Sequence, residues 1–449
     1  MSGPKVVRIV TREELIAQCE GLLARVAAAL EAWERACDRV NGLTETDKAA
    51  GRARLASLRQ MLSADRFAEV QTEVSRELAF LKDDQRDRLA KAAAAAAAVR
   101  LAQQRRGEAA KALLAALDKA GAAVDSDLRT ALAGAGQGDP AAIARGFSLL
   151  SAQGDDGSTD RKALAARYKH GEEDRGFAGW LEAQPQTVDP KVERLQMAID
   201  ELGGLADPSL AQRFESRLAG IVAEFPSARR NLLTDSLEIE LGQALREARE
   251  TAARIDEIRL DLAELAQLGP AQHLAVLRQR LDVALVDQKD LAGLAADVET
   301  AVIAAKSAFA AQARREAVLK SLAGLGYEVT EGLSTAWVAD GKVVLRKADR
   351  PDYGVEISGG AAAARFQMRA VAFTGPNGGP DLSRDRDAET LWCGDVTALK
   401  ADLAQAGGGL VIEKALAIGA TPLKRIEIEG AAARTEIARS PAQRTFKPR

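Results

Sequence analysis

The chain has 449 residues, 47% hydrophobic but only 4% aromatic, with Lys+Arg 62 against Asp+Glu 65. Its formal net charge of -3 excludes a bulk basic footprint for nucleic acid. Two histidines and three cysteines exclude a multi-ligand His/Cys metal centre, and the longest purely apolar run, Ala92–Val99, is too short to span a bilayer. About a fifth of the residues are alanine, so the apolar fraction is ordinary although aromatics are scarce. At roughly 100–200 residues per domain, the length predicts two or three domains.

The opening residues lack an apolar signal core and the Met-Gly start of a myristoylated protein. Val6–Val10 reads as a short strand or extended arm. Thr11 precedes Glu14 by the spacing of a capping box. Leu15, Cys19, Leu22, Val26, Ala29, Trp33, Ala36 and Val40 then step by fours and threes, a heptad seam that ends at Asn41-Gly42. Cys19 and Cys37 on one helix would be separated by roughly 27 Å of rise, too far for a disulfide. Unpaired thiols point to a cytoplasmic protein.

A second helical stretch begins near Thr46, breaks near Ser63-Ala64-Asp65 and runs to about Ala120. Leu55, Leu58, Leu62, Val70, Val74, Leu78 and Leu81 form its stripe. The alanine-rich span Arg86–Arg106 is helical on propensity alone. Glycine and Asp-Pro punctuation then predicts short helices over Asp125–Ala133, Pro140–Gln153 and Asp160–His170, with a linker over Gln184–Pro190. Helices follow near Lys191–Leu202, Pro208–Phe225, Pro226–Gln267, Pro270–Val283 and Asp287–Leu325. In two of them, Leu237 to Leu265 and Leu291 to Ala308 again step at heptad spacing.

At Gly326 the character changes, and six of the 17 aromatics fall between Tyr327 and Trp392. Leu333–Ala339 and Lys342–Lys347 flank Asp340-Gly341, a type I′ hairpin dipeptide. Tyr353, Val355 and Ile357 alternate as a strand. Ala364–Thr374 reads as another, and Gly375–Ser383 as a loop. Asp385–Gln405 reads as an amphipathic helix with Leu391, Val396, Leu399 and Leu403 on its stripe, and Leu410–Ile418 as a last apolar segment.

The expected fold is mainly α: long helical hairpins or coiled coil followed by a small C-terminal α+β domain with an antiparallel meander. Its segments are 1–120, 121–190, 191–325, 326–430 and a basic tail, 431–449.

The search for chemistry yields little. No Gly-x-x-x-x-Gly-Lys-[Ser/Thr] loop is present, and Gly134-Ala135-Gly136-Gln137-Gly138 has the wrong spacing for a dinucleotide fingerprint. His170 and His273 have no catalytic context. Asp385, Asp387 and Glu389 at a helix start offer a possible Mg²⁺ site, although the helix dipole alone accounts for acids there. Asp352 and Glu356 offer a nuclease-like pair, but Ser358 stands where such a motif places lysine. Cys393, beside Trp392, is the thiol to test for reactivity. Tyr327, Trp337, Tyr353, Phe366, Phe373 and Trp392 are candidates for a docking surface.

The leading expectation is a non-enzymatic cytoplasmic scaffold or adaptor with no cofactor. It would form a homo-oligomer through its coiled coils and bind a protein partner through the C-terminal domain. The alternatives are a metal-dependent hydrolase in that domain, and a nucleic-acid accessory protein using the basic tail and Arg100–Arg106.

Overall fold

The computed structural model describes residues 3–134, 139–152, 189–206, 208–224, 227–287, 289–330, 332–360, 364–374 and 381–427. The expected helix Asp160–His170, nearly all of the linker and the basic tail lie outside them. The described chain is mostly helical and carries one six-stranded sheet. It divides into two compact units, one of residues 1–31, 46–80 and 256–449, the other of 32–45 and 81–255.

In chain order, β1 (Lys5–Val10) leads into α1 (Arg12–Asp38). Thr11 caps this helix by accepting the Glu14 amide at 3.2 Å. Only half of the expected capping box forms, because the Glu14 carboxylate accepts from Arg314 instead. The helix ends as its sequence implies, but Asn41 takes the left-handed conformation (φ 52°) rather than Gly42. Asn is the non-glycine residue that tolerates that region best. The break after α2 (Glu45–Ser63) turns on Asp65 at φ 56° before α3 (Phe67–Lys119) resumes.

The heptad reading needs correction. The most buried line on α1 is Cys19, Leu23, Val26, Leu30, Trp33 and Cys37, whereas Leu15, Leu22, Ala29 and Val40 are only half-buried. Heptad spacing marks an apolar stripe, but the neighbours that cover it decide its centre.

The unit formed by 32–45 and 81–255 is helical. There α4 (Ser126–Ala133) and α5 (Pro140–Ala152) pack on the end of α3 through Leu113, Leu117, Leu128, Leu132 and Ile143. Gly146 makes that approach possible, since a Cβ there would stand 2.7 Å from Leu113. A second cluster joins α6 (Pro190–Leu205), α7 (Pro208–Val222) and the first half of α8 (Ser227–Leu268) through Ile199, Phe214, Leu218, Leu237 and Leu241. Trp33 of α1 is buried within the same unit. Its indole donates to Asp84 at 2.8 Å.

The other unit holds the sheet together with α9 (Ala271–Asp287), α10 (Leu291–Gly324) and α11 (Leu333–Asp340). Leu291, Leu294, Val298 and Ala301 of α10 are buried as their spacing implies, but Ala308 is exposed and the buried face moves to Ala310, Ala311, Ala313, Val318 and Leu322. No single seam runs its length.

The expected hairpin at Asp340-Gly341 does not form, because Leu333–Ala339 is helical. Gly341, at φ 65°, is the left-handed residue that stops α11. Asp-Gly fits both roles, since each needs positive φ. The hairpin lies one strand later, between β2 (Lys342–Lys347) and β3 (Arg350–Ser358).

With β4 (Arg365–Thr374), these strands form the expected antiparallel meander. The meander is only half of the sheet. β1, from the opposite end of the chain, inserts between β4 and β5 (Gly409–Ala415), giving the order β2-β3-β4-β1-β5. β6 (Lys424–Glu427) runs parallel to the last residues of β4. Helix α12 (Leu382–Gln405) buries Val396, Leu399 and Leu403 as its pattern predicts, but leaves Leu391 exposed.

Candidate interaction face of the sheet

Side chains alternate across a strand, so each strand contributes one set to each face of the sheet. On the inner face, Val7 and Ile9 of β1, Val343 and Leu345 of β2, Val355 and Ile357 of β3, and Phe366 and Met368 of β4 are all buried. They pack with Val318 and Leu322 of α10, Trp337 of α11, and Trp392, Val396 and Leu399 of α12. The aromatic contacts are tight. Trp337 meets Phe366 at 5.4 Å between centroids, and Tyr327 meets Trp392 edge-on at 6.2 Å.

Polar pairs pin α12 over this core. Asp395 accepts from the Tyr327 hydroxyl at 2.7 Å and from Lys347 Nζ at 2.7 Å. Asp385 accepts from the Tyr353 hydroxyl at 3.0 Å and from Arg425 at 2.7 Å. Glu389 takes the Gly419 amide at 2.6 Å. Burial first, and then the bond to Asp385, push the Tyr353 phenol up to about 12. The same causes, with Asp395 as acceptor, raise Tyr327.

The cavity among Tyr327, Lys347, Tyr353, Trp392 and Asp395 measures about 20 Å³. That is room for one water, and no substrate fits. Lys5 is only 2% exposed and donates to Cys393 Sγ at 3.4 Å.

The outer face differs. The helices of this cluster pack on the inner side. On the outer side Val371 and Glu356 are buried, whereas Arg8, Lys342, Arg365, Gln367, Val411 and Lys414 are exposed. Strand register sets its rows. Lys342 stands opposite Ser358, Ser358 opposite Gln367, Gln367 opposite Val6, and Val6 opposite Lys414. Arg8 stands between Arg365 and Val411. Arg346 faces Gly354, and Glu356 faces Arg369. Lys424 joins from β6, opposite Val371.

Two carboxylates answer these cations. Glu356, nearly buried, receives Arg369 and Lys424. Burial would raise its pKa, but the bonds from Lys424 and Arg369 outweigh that and hold it below the ordinary carboxylate value. Glu413, the bulged residue of β5, receives Arg365 at 2.6 Å. The Arg346 guanidinium lies 4.9 Å from the centre of the Phe373 ring. Gly354 between them leaves the space that this stacking needs. Among the described residues, Arg8, Lys342 and Lys414 carry no ion pair and are exposed.

The expected site residues therefore separate. Tyr327, Trp337, Phe366 and Trp392 are core residues of the inner face. Tyr353 is half-buried there, and of the six only Phe373 belongs to the outer face. Asp385 and Glu389 are buried and engaged as above, while Asp387 and Asp352 are exposed. Among the described residues no three His, Cys, Asp or Glu side chains come together as metal ligands would.

The basic residues of the outer face were missed by sequence reasoning. Alternation within β4 marks Arg365 and Arg369, but only the pairing with β1 and β5 brings Arg8 and Lys414 to them. No described helix is long and apolar enough to cross a membrane. The chain matches no protein-family model, no curated protein and no solved structure.

Proposed function

We propose that this chain is a non-enzymatic scaffold or adaptor that recognises its partner through the outer face of the sheet. One observation carries the reading: the helices of the core pack on one side of the sheet, and the other side carries exposed polar and charged side chains at Arg8, Lys342, Arg365, Gln367 and Lys414. Under α12 the carboxylates Asp385 and Asp395 are committed to Tyr353, Arg425, Tyr327 and Lys347 around a water-sized cavity. On the other side Val371 and Glu356 are buried at the centre, and exposed side chains surround them on β1, β2, β4 and β5. One face of a sheet can stand toward solvent while the other packs on the core, and the exposed side chains of that face are available for binding. Affinity capture with the full chain, compared with a Val344→Glu/Gln367→Glu variant, tests this. The variant should lose the partners that the parent retains; an unchanged set of partners overturns the assignment.

Self-association belongs to the same proposal, and so does a cytoplasmic location, in keeping with three cysteines that form no disulfide. Its support is a row on α9, where Val276, Val283 and Val286 stand exposed opposite the buried Leu274, Leu277 and Leu281. Light scattering should give more than one chain per particle, and Val283→Asp should reduce that to one. A monomeric parent removes the oligomer from the proposal.

A further inference from the structure

We infer that the outer face of the sheet is a binding surface for single-stranded nucleic acid. This rests on reading that face as the recognition surface and names the class of its partner. The first argument is charge. In a chain whose formal net charge is -3, the outer face gathers cations from β1, β2, β4, β5 and β6, with Glu356 and Glu413 paired to three of them and Asp352 exposed near the start of β3. Arg8 and Arg365 are directly opposed across β1 and β4. Like charges in that position destabilise a sheet; Glu413 answers Arg365, which leaves the Arg8 charge for an external anion. Arg8, Lys342 and Lys414 also retain unused charge, spread from one edge strand to the other.

The second argument is shape. Five strands at roughly 4.8 Å spacing give a surface about 19 Å across. The major groove of duplex DNA is about 12 Å wide and admits a helix or a two-stranded ribbon, so this face cannot enter it. A single strand can lie across it, with phosphates on the cations and bases against flat groups. The Arg346 guanidinium backed by Phe373 supplies such a flat group, and bases stack on arginine planes as they do on aromatic rings. An anionic lipid surface is the lesser match. The one large apolar side chain of the face, Phe373, is half-buried and covered by Arg346, and the other apolar residues there are the smaller Val6, Val344 and Val411.

The test uses the full chain and a labelled oligouridylate of about 20 nucleotides, longer than the roughly 4–16 that one oligonucleotide-binding fold covers. Binding should weaken with salt. Each lost phosphate contact lowers the log–log slope by about 0.7, so Arg8→Ala/Lys342→Ala/Lys414→Ala should lower it by about 2. Lys342→Gln/Lys414→Gln, confined to the edge strands, should lower it by about 1.4 and covers the case in which the triple variant misfolds. A duplex of equal length should bind more weakly than the single strand.

Three outcomes overturn the inference: no oligouridylate binding, a slope unchanged in both variants, or binding instead to phosphatidylserine-containing vesicles. If oligouridylate fails while protein capture still depends on Val344 and Gln367, the adaptor reading survives and the nucleic-acid inference does not.

Discussion

Gly354 occupies a position where any side chain collides with the sheet itself. A Cβ there would fall against the Leu345 carbonyl oxygen and stand 2.8 Å from the Phe373 ring. Leu345 is in the neighbouring strand and the ring lies under Arg346, so neither gives way without disturbing the stacked pair. Gly354→Ala should therefore cost about 1–3 kcal/mol, the usual penalty for forcing extra volume into a packed site. Gly360 is the internal control, because a Cβ there meets nothing within 4 Å. Urea unfolding of the two variants should separate them clearly. Equal stabilities would mean that the close approach around Gly354 is absent in solution.

At the scale of elements, Glu356 joins three strands by receiving Arg369 of β4 and Lys424 of β6 from its place on β3. Its pKa is held below the ordinary value, so the folded state favours the carboxylate. The stabilisation is complete above the unfolded pKa and is lost as pH falls through the folded one. Glu356→Gln should cost about 1–3 kcal/mol at neutral pH, the lower part of the range for broken buried pairs, because both cations can reach water. As pH falls below the ordinary glutamate range the parent should lose stability faster than the variant, and the two should converge once the folded-state carboxylate is protonated. Parallel curves over that fall would contradict the assignment.

Elements of this kind were legible to different degrees. The helices over 190–324 and the breaks at 63–65 and 407–409 follow from local signals, namely apolar spacing, capping and residues tolerant of positive φ. The strands of the meander were legible by alternation. Helix α11 was not, because Asp340-Gly341 serves equally as hairpin turn and helix stop. The pairing of β1 had no local signal either, since a short strand such as Val6–Val10 carries no mark of which distant strand it joins. The outer face depends on that pairing, which is why its cations went unseen while the buried aromatics drew notice.

The placement of β1 also decides what counts as a folding unit. Taken by sequence alone, residues 326–430 form a self-contained α+β domain. In the structure, β1 is an interior strand of that sheet, bonded to β4 on one side and β5 on the other. Val7 and Ile9 are fully buried in its core. Burial of each contributes about 1.5–3 kcal/mol, and removing the strand also leaves two rows of backbone groups unpaired. The total is comparable to the whole stability of a typical domain, about 5–15 kcal/mol. Deletion of residues 1–10 should therefore unfold the sheet from the far end of the sequence. Hydrogen exchange would read this as lost amide protection in β4 and β5, with α6–α8, which share no core cluster with the sheet, retaining theirs. A synthetic peptide spanning residues 3–12, added in trans, should restore protection by filling the vacant strand position. Protection of β4 and β5 that persists without β1 would show that the meander and α12 suffice, and that the chain ends are joined only incidentally.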